Sequence, residues 1–246
     1  RSVKGTKKPH SFRNYASNHD ATCTQDGTKT AVCNVCGAKD TKPDVGSKLG
    51  HTYKDMECIR CGLLKTGCDG KTDCPTKNYT DVKKDAWYHT QGYVDYVVTR
   101  GVMTGTGTNP LRFEPDEKVT RAQMVETLWK MEGKPKITAV EADKAASAFT
   151  DVNRDAWYTG SIYWAYTKGL AEGMGDQKFA PDDSMTREQM VTFLYRYAKF
   201  KGADVTAGEL PTRFCDRTKV GDYAKAPMAW AAKHQIITGM NTTPET

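Results

Sequence analysis

The chain has 246 residues, of which 38% are hydrophobic and 27% are charged, and its formal net charge is +6. This length suits one or two domains, and no apolar run approaches the roughly 18 residues that a membrane span requires. Lysine and arginine are spread along the chain rather than clustered, which argues against a nucleic-acid partner.

The first part of the chain, residues 1–76, contains seven of the eight cysteines. We expect loops and short β-hairpins here. Two Cys-x-x-Cys pairs are each followed by glycine and preceded by a histidine, as in zinc knuckles, and a structural zinc ion takes four ligands. The pattern predicts two zinc sites: His10, Cys23, Cys33 and Cys36 form one, and His51, Cys58, Cys61 and either Cys68 or Cys74 form the other.

Disulfides are the alternative for these cysteines, because an exported chain meets oxidants. Cys68 and Cys74 enclose only five residues and could close a small disulfide loop. Either staple would be structural, since a stretch of about 65 residues with few large apolar side chains needs one to stay folded. Cys215 has no evident role in the sequence. Three histidines have no partner pattern and are expected at the surface: His19, His89 and His234.

An internal repeat of about 70 residues follows. YTDVKKDAWY, which begins at Tyr79, and FTDVNRDAWY, which begins at Phe149, are nearly identical. Each is followed by an apolar helical pattern, a glycine-rich loop, a Phe-x-Pro-Asp turn and a second helix. A third copy reaches Thr246 without that turn. We assign the copies to residues 77–140, 147–202 and 210–246, and expect a mainly α-helical part with helices near 87–100, 120–132, 157–169, 186–200 and 222–236.

Neighbouring copies must pack together, because a two-helix unit cannot bury its apolar stripes alone. We therefore expect three tryptophans in the core: Trp129, Trp164 and Trp230. The second helix of each full copy begins at a capping box, with Thr120 and Thr186 as the caps.

Arg121 and Arg187 take the first helical position after these caps, where the helix dipole disfavours a cation. Either these side chains point into water at a small cost, or each arginine and the helix N–H groups together form an anion site. In the second case, replacing either arginine would weaken binding without lowering the melting temperature.

The ordered motifs FTDV, WY, F-x-Pro-Asp and Thr-Arg resemble the S-layer homology repeat of bacterial surface proteins, over about two thirds of the chain. The resemblance implies a pseudo-threefold prism of helices. It also implies an anchor, outside the cell at the wall of a Gram-positive bacterium, that binds secondary cell-wall polysaccharide bearing negatively charged pyruvyl ketals. The Thr-Arg motif carries that contact in the family, here Thr120–Arg121 and Thr186–Arg187, which favours the anion-site interpretation.

Sugar C–H faces also need a flat apolar surface, and Trp87 and Trp157 are candidates for it, with interior packing as the alternative. The sequence departs from the family in its third copy, which lacks the Thr-Arg helix. The Cys/His region resembles, less specifically, small zinc-ribbon-like Cys/His repeats found beside S-layer homology repeats in surface proteins of gut Firmicutes.

No nucleophile elbow, Walker loop or H-E-x-x-H motif occurs, and the repeated aspartates occupy turn positions, so we do not expect an enzyme. Three hypotheses follow. The chain is a wall-polysaccharide anchor, or a structural or interaction subunit of an extracellular assembly, or the anchor of a hydrolase whose catalytic domain lies outside the chain. Because the chain begins with Arg1 rather than Met, we interpret it as a fragment of a longer protein.

Overall fold

The computed structural model describes residues 9–65, 74–107 and 110–239, and the chain divides into two compact units. Unit 1 comprises residues 1–100 and 107–113, and unit 2 comprises residues 101–106 and 114–246. The boundary between the units therefore falls within the first copy of the repeat.

Unit 1 begins with short antiparallel strands. A three-stranded sheet has the order β1 (Ala16–Ser17), β2 (Thr28–Val32) and β3 (Lys39–Pro43), and a hairpin joins β4 (Tyr53–Lys54) to β5 (Glu57–Cys58). The hydroxyls of Thr30 and Thr41 are cross-strand partners 2.8 Å apart. The expected loops and short hairpins are confirmed.

The first copy contributes two short helices to unit 1 where one was predicted: α1 (Trp87–Thr90) and α2 (Tyr93–Thr99). The break lies at Gly92, whose φ of 75° is in the left-handed region that favours glycine. The expectation of a surface position for His89 is wrong. Its side chain is buried, and Nδ1 lies 3.1 Å from the carbonyl oxygen of Lys84.

Unit 2 is helical. Its α-helices are α3 (Arg121–Met131), α4 (Ala139–Ala148), α5 (Thr159–Thr167), α6 (Arg187–Phe200) and α7 (Lys225–Lys233), and the 3-10 turns Arg217–Lys219 and Asp222–Ala224 precede α7. The predictions near 120–132, 157–169 and 186–200 are confirmed, whereas the predicted helix near 222–236 begins as a 3-10 turn. Helix α4 was not predicted, although Thr138 and Glu141 form a capping box at its start.

Two apolar clusters form the core of unit 2. One contains Val125 of α3, Ala145 of α4 and Trp164 of α5, and the other contains Val191 of α6 and Trp230 of α7. The predicted core position of the tryptophans is confirmed for Trp164 and Trp230, which are buried. Trp129 is half-buried, packs against the first cluster and donates from Nε1 to the Pro135 carbonyl at 2.9 Å. Among the described residues, every helix is too short or too polar to cross a lipid bilayer.

Candidate functional site

The repeated aspartate of each full copy closes that copy on itself. Asp151 accepts hydrogen bonds from the backbone N–H groups of Phe179 and Ala180, both at 2.8 Å. In the first copy, Asp81 accepts one from the N–H group of Phe113, also at 2.8 Å. These carboxylates therefore hold the Phe-x-Pro-Asp turn against the start of the copy, which gives the repeated aspartates a structural role.

The first turn of α3 is joined to the second copy of the repeat. Each leading N–H group already has an acceptor: Arg121 N–H donates to the Asp183 carbonyl at 3.0 Å, Ala122 N–H to the Pro181 carbonyl at 2.9 Å and Gln123 N–H to the Thr120 hydroxyl at 3.2 Å. The predicted binding of an anion by these N–H groups is therefore wrong for α3, because the turn of the next copy uses them.

Arg121 is buried, with only 4% of its surface exposed. Its Nε donates to the Phe179 carbonyl at 2.7 Å, and its Nη2 donates to the Glu172 carbonyl at 2.8 Å. The guanidinium carbon lies 4.7 Å from the ring centroid of Phe179 and 5.5 Å from that of Phe193. The alternative in which this side chain points into water is thus excluded.

The charge of Arg121 is not neutralised by direct contact. None of the carboxylates that the structure describes lies within ion-pair distance of the guanidinium, and its Nη1 has no acceptor among the described residues. Burial lowers the pKa of Arg121 from its usual value, and the charge of Asp183 partly opposes this effect. A buried ion is costly unless it is paired, so an anion at this position would remove an electrostatic penalty.

A pocket of about 330 Å³ lies beside Arg121, at the lower end of the range for small-molecule sites. All three copies contribute to its walls: Arg121 from α3, residues 172–174 from the loop of the second copy, Gln189, Thr192, Phe193 and Arg196 from α6, and Tyr223 from the third copy. Arg196 Nη2 forms an ion pair with Glu172 Oε2 at 2.8 Å. Arg121 is therefore the pocket charge that lacks a partner of opposite sign.

An exposed aromatic ring occurs at one position of every copy. Alignment of the third copy with the second places Tyr223 at the position of Trp157, which matches Trp87 in the first copy. Trp87 and Trp157 are 69% and 61% exposed, so interior packing is excluded for both. Tyr223 is 53% exposed, and its hydroxyl donates to Glu188 Oε1 at 2.9 Å. Burial, with Glu188 adding to it, raises the pKa of Tyr223 to about 12.

Arg187, at the equivalent position of α6, is in a different environment. The predicted capping box of Thr186 is present, and the Arg187 side chain is exposed. Among the described residues, no group accepts a hydrogen bond from the N–H groups of Arg187 and Glu188. The start of α6 therefore keeps the open arrangement that the sequence predicted for both helices.

Among the described residues of unit 1, two clusters combine a histidine with a Cys-x-x-Cys pair, and their membership differs from the predicted one. The ligand atoms of Cys23, His51, Cys58 and Cys61 lie within 4.8 Å of one another, and a second set contains His10, Cys33 and Cys36. Assigning Cys23 to the His10 site is wrong. The N–H group of Leu49 donates to the carbonyl of Thr22 at 2.9 Å, which holds the segment of Cys23 next to the segment that leads into His51.

The fourth predicted ligand of the second site also requires correction. Cys74 is disulfide-bonded, so it is not available to a metal, and Cys68, its predicted partner and the other proposed ligand, lies outside the described residues. Both Cys-x-x-Cys pairs have free thiols, as do Cys23 and Cys215. In the structure, therefore, neither pair forms a disulfide.

Two of the thiols are polarised toward the thiolate form. The backbone N–H group of Val35, followed by the His10 side chain, lowers the pKa of Cys33 to about 6. The backbone N–H group of Arg60 is the main cause that lowers the pKa of Cys58 to about 5. The thiolate is the form that binds metals.

Sequence reasoning identified Arg121 but not the pocket around it. The equivalence of Tyr223 and Trp157 could have been found from the alignment of the copies. The sequence carries no signal for Arg196, because its place in the pocket depends on how α6 packs beside the loop that contains Glu172.

Helical copies that together line one pocket define the class of protein: a module built from repeats. Residues 78–125 and 148–191 match the model of the S-layer homology domain. Both segments are thus similar to the S-layer homology domain, which is a non-catalytic module for anchoring at the cell surface.

Known proteins share this part of the chain. Over 135 residues the chain is 36% identical to a cell surface protein of Thermoanaerobacter kivui, a match that covers 55% of the chain and 17% of that protein. It is 29% identical over 194 residues to exoglucanase XynX of Acetivibrio thermocellus, with coverages of 77% and 16%. It is 27% identical over 154 residues to the surface-layer 125 kDa protein of Lysinibacillus sphaericus, with coverages of 62% and 12%.

The chain spans less than a fifth of the length of each of these relatives. The repeats and the surface-protein relatives place it at the cell surface or in the cell wall.

Proposed function

We propose that the chain anchors its protein to the cell wall by binding an acidic, pyruvylated sugar of secondary cell-wall polysaccharide in the pocket beside Arg121. One observation carries the proposal: Arg121 is 4% exposed and is bonded to two carbonyl oxygens, and no described carboxylate pairs with it. The carboxylate of a pyruvyl ketal is an anion of suitable size and geometry for a guanidinium.

The expected interaction is a charge-assisted hydrogen bond to Nη1, which has no other described acceptor. Such a bond contributes about 1.5–3 kcal/mol, and the low exposure of Arg121 reduces competition from water. Gln189 and Thr192 line the same pocket and offer polar groups for sugar hydroxyls.

The exposed aromatic rings supply the second feature that a saccharide site needs. Tyr223 borders the pocket, and its ring is available to the apolar face of a sugar. By the equivalence of the copies, Trp87 and Trp157 would each offer such a ring to a sugar unit. Arg187, exposed at the start of α6 after the Thr186 cap, would contribute a further positive charge along the polysaccharide.

The test uses two substitutions that remove charges of opposite sign from the pocket and that replace no buried side chain. Arg196→Ala removes a positive charge from the pocket and leaves the carboxylate of Glu172, 72% exposed, without its partner. It should weaken polysaccharide binding about tenfold. Glu172→Gln removes the negative charge and should preserve or strengthen binding. Both should change the free energy of unfolding by no more than about 1 kcal/mol, as is usual for exposed ion pairs.

Lys199→Ala is the matched control, because it removes an exposed positive charge from the same helix outside the pocket. Affinity is measured by titration calorimetry with purified wall polysaccharide, before and after the pyruvyl groups are removed. Equal affinities for all three variants, or an unchanged affinity of the wild type after the pyruvyl groups are removed from the polysaccharide, would refute the acidic-sugar proposal. Wild-type protein that binds no polysaccharide would favour the alternative of a structural or interaction subunit.

A second candidate function concerns what is anchored. Three further relatives are named amylopullulanase, endoglucanase and endo-1,4-beta-xylanase A, and the exoglucanase is a fourth named hydrolase. We infer that the repeats could hold a polysaccharide hydrolase at the wall. Antiserum against this chain should then precipitate xylan- or glucan-hydrolysing activity from cell-wall extracts, and precipitates without such activity would count against this candidate.

A further inference from the structure

We propose that Cys23, His51, Cys58 and Cys61 bind one structural zinc ion, which fastens the first Cys/His segment of unit 1 to the second. Three of these ligands come from the second segment, around β4 and β5. Cys23 precedes β2 and therefore belongs, along the chain, to the first segment. The metal would link two segments whose described residues contribute to neither of the apolar core clusters.

The distances between ligand atoms match those around tetrahedral zinc. With Zn–S near 2.3 Å, two sulfur ligands of a tetrahedron lie about 3.8 Å apart, and sulfur and nitrogen ligands about 3.6 Å apart. Cys23 Sγ and Cys58 Sγ are separated by 3.8 Å, and His51 Nδ1 and Cys61 Sγ by 3.4 Å. The whole set lies within 4.8 Å and contains three sulfurs and one imidazole nitrogen, which is a common zinc ligand set.

The backbone around Cys58 has the form that supports a bound thiolate. The N–H groups of Arg60 and Cys61 are directed at the Cys58 side chain, and Gly62 N–H donates to the Cys58 carbonyl at 2.9 Å. Gly62 has a φ of 72°, in the left-handed region, which lets the loop turn back tightly after the pair. These contacts orient the sulfur for a ligand rather than for apolar packing.

The burial of two of these cysteines favours a bound metal in this cluster. Cys23 and Cys58 are buried, whereas Val35, Val45 and Ile59 nearby in sequence are exposed. Within residues 9–65 the buried hydrophobic side chains are those of Cys23, Ala31, Cys33 and Cys58, and small domains with so little apolar interior depend on metals or disulfides. Zinc would compensate the charge of buried thiolates, which is otherwise costly, and its binding free energy would become folding free energy.

The cluster of His10, Cys33 and Cys36 offers fewer ligands, so the two clusters can be distinguished by their affinity for zinc. It has the same knuckle turn, with Gly37 N–H donating to the Cys33 carbonyl at 2.9 Å, and Cys36 Sγ lies 3.0 Å from His10 Nδ1. Among the described residues, however, this cluster offers three ligands rather than four. Zinc bound there would need water or another outside ligand, and it should be held more weakly.

The experiment measures zinc in the full chain, purified without chelators and dialysed against metal-free buffer. One equivalent of zinc should remain in wild type and in Cys33→Ser, and it should be lost in Cys23→Ser and Cys58→Ser. Cys215→Ser removes a free, exposed cysteine from unit 2 and serves as the control. Cobalt(II) provides a second readout, since the tightly bound ion should show thiolate-to-cobalt charge transfer that decreases in Cys23→Ser.

Three results would overturn the proposal. Loss of the tight zinc in Cys33→Ser would assign Cys23 to the His10 cluster instead. Protein with free thiols and no retained metal would show that the cluster does not bind zinc, and oxidised Cys23 or Cys58 in freshly purified protein would indicate disulfides. Because four of the five tryptophans lie in unit 2, an unchanged tryptophan emission spectrum verifies that each variant chain is folded there.

Discussion

The two arginines of the Thr-Arg motif occupy the same sequence position, yet they should respond oppositely to substitution. Arg121→Ala removes a buried guanidinium that donates to the carbonyls of Phe179 and Glu172. Arg187→Ala removes an exposed side chain. The sequence alone predicted no loss of stability in either case, whereas the structure predicts a loss for Arg121 only.

The magnitude follows from the groups that Arg121→Ala leaves behind. A buried acceptor without a donor costs about 1–3 kcal/mol, and the Glu172 carbonyl, which is partly buried, should cost less than the Phe179 carbonyl. Loss of the contact with the Phe179 ring adds a smaller amount. We therefore expect a loss of about 2–4 kcal/mol, or roughly 4–16 °C in melting temperature at about 2–4 °C per kcal/mol.

Arg187→Ala should change stability by no more than about 0.5 kcal/mol, with a slight gain because the cation leaves the positive end of the helix dipole. The assay is urea unfolding of both variants and wild type, followed by tryptophan fluorescence, since Trp129, Trp157, Trp164 and Trp230 all report on unit 2. Equal free energies of unfolding for the two variants would refute the assignment of a junction role to Arg121.

Two further predictions concern unit 2. Glu141 caps α4, and the Thr138 backbone N–H group, followed by the Lys168 side chain, lowers its pKa to about 2. Because the folded pKa of Glu141 lies below the unfolded one, this stabilisation is complete above about pH 4.5 and is lost as the pH falls toward 2. Thermal melts from pH 2 to 6 should therefore show a smaller decrease in stability for Glu141→Gln than for wild type. Identical profiles of the two proteins would contradict this role of Glu141. Trp164→Ala should lower the free energy of unfolding by about 3–5 kcal/mol, as for other buried aromatic residues, whereas Trp157→Ala should change it by less than about 0.5 kcal/mol. Circular dichroism at 222 nm during urea unfolding measures both values. A comparable loss in Trp157→Ala would place that ring in the core.

Much of the helical part could be predicted from local sequence signals. Thr120 and Thr186 cap the helices as their spacing with glutamine indicates, and the apolar periodicity located α5. Helix α4 was not predicted because it lies between the repeated motifs, although Thr138 and Glu141 carry the same kind of capping signal.

The environment of each functional group was less accessible to sequence reasoning, because it depends on contacts between distant segments. Nothing near Arg121 in the sequence shows that the Pro181 and Asp183 carbonyls occupy the first turn of its helix. Likewise, the order of cysteines along the chain suggested that Cys23 belongs with His10, whereas a backbone contact between Thr22 and Leu49 directs it to the other cluster. Local patterns therefore identified the residue types but not their partners.

The junction at α3 has a consequence for how such chains grow by duplication. The turn that contains Pro181 and Asp183 supplies carbonyl groups to the helix of the preceding copy, and each full copy carries both the turn and the helix. A duplicated segment thus carries both the turn that supplies the carbonyl groups and the helix that accepts such a turn. It can therefore pack against the original copy without new mutations. Selection can then alter a pocket-lining residue such as Tyr223 in one copy at a time, so that copies derived from a single ancestral unit can come to differ in the surfaces that they present.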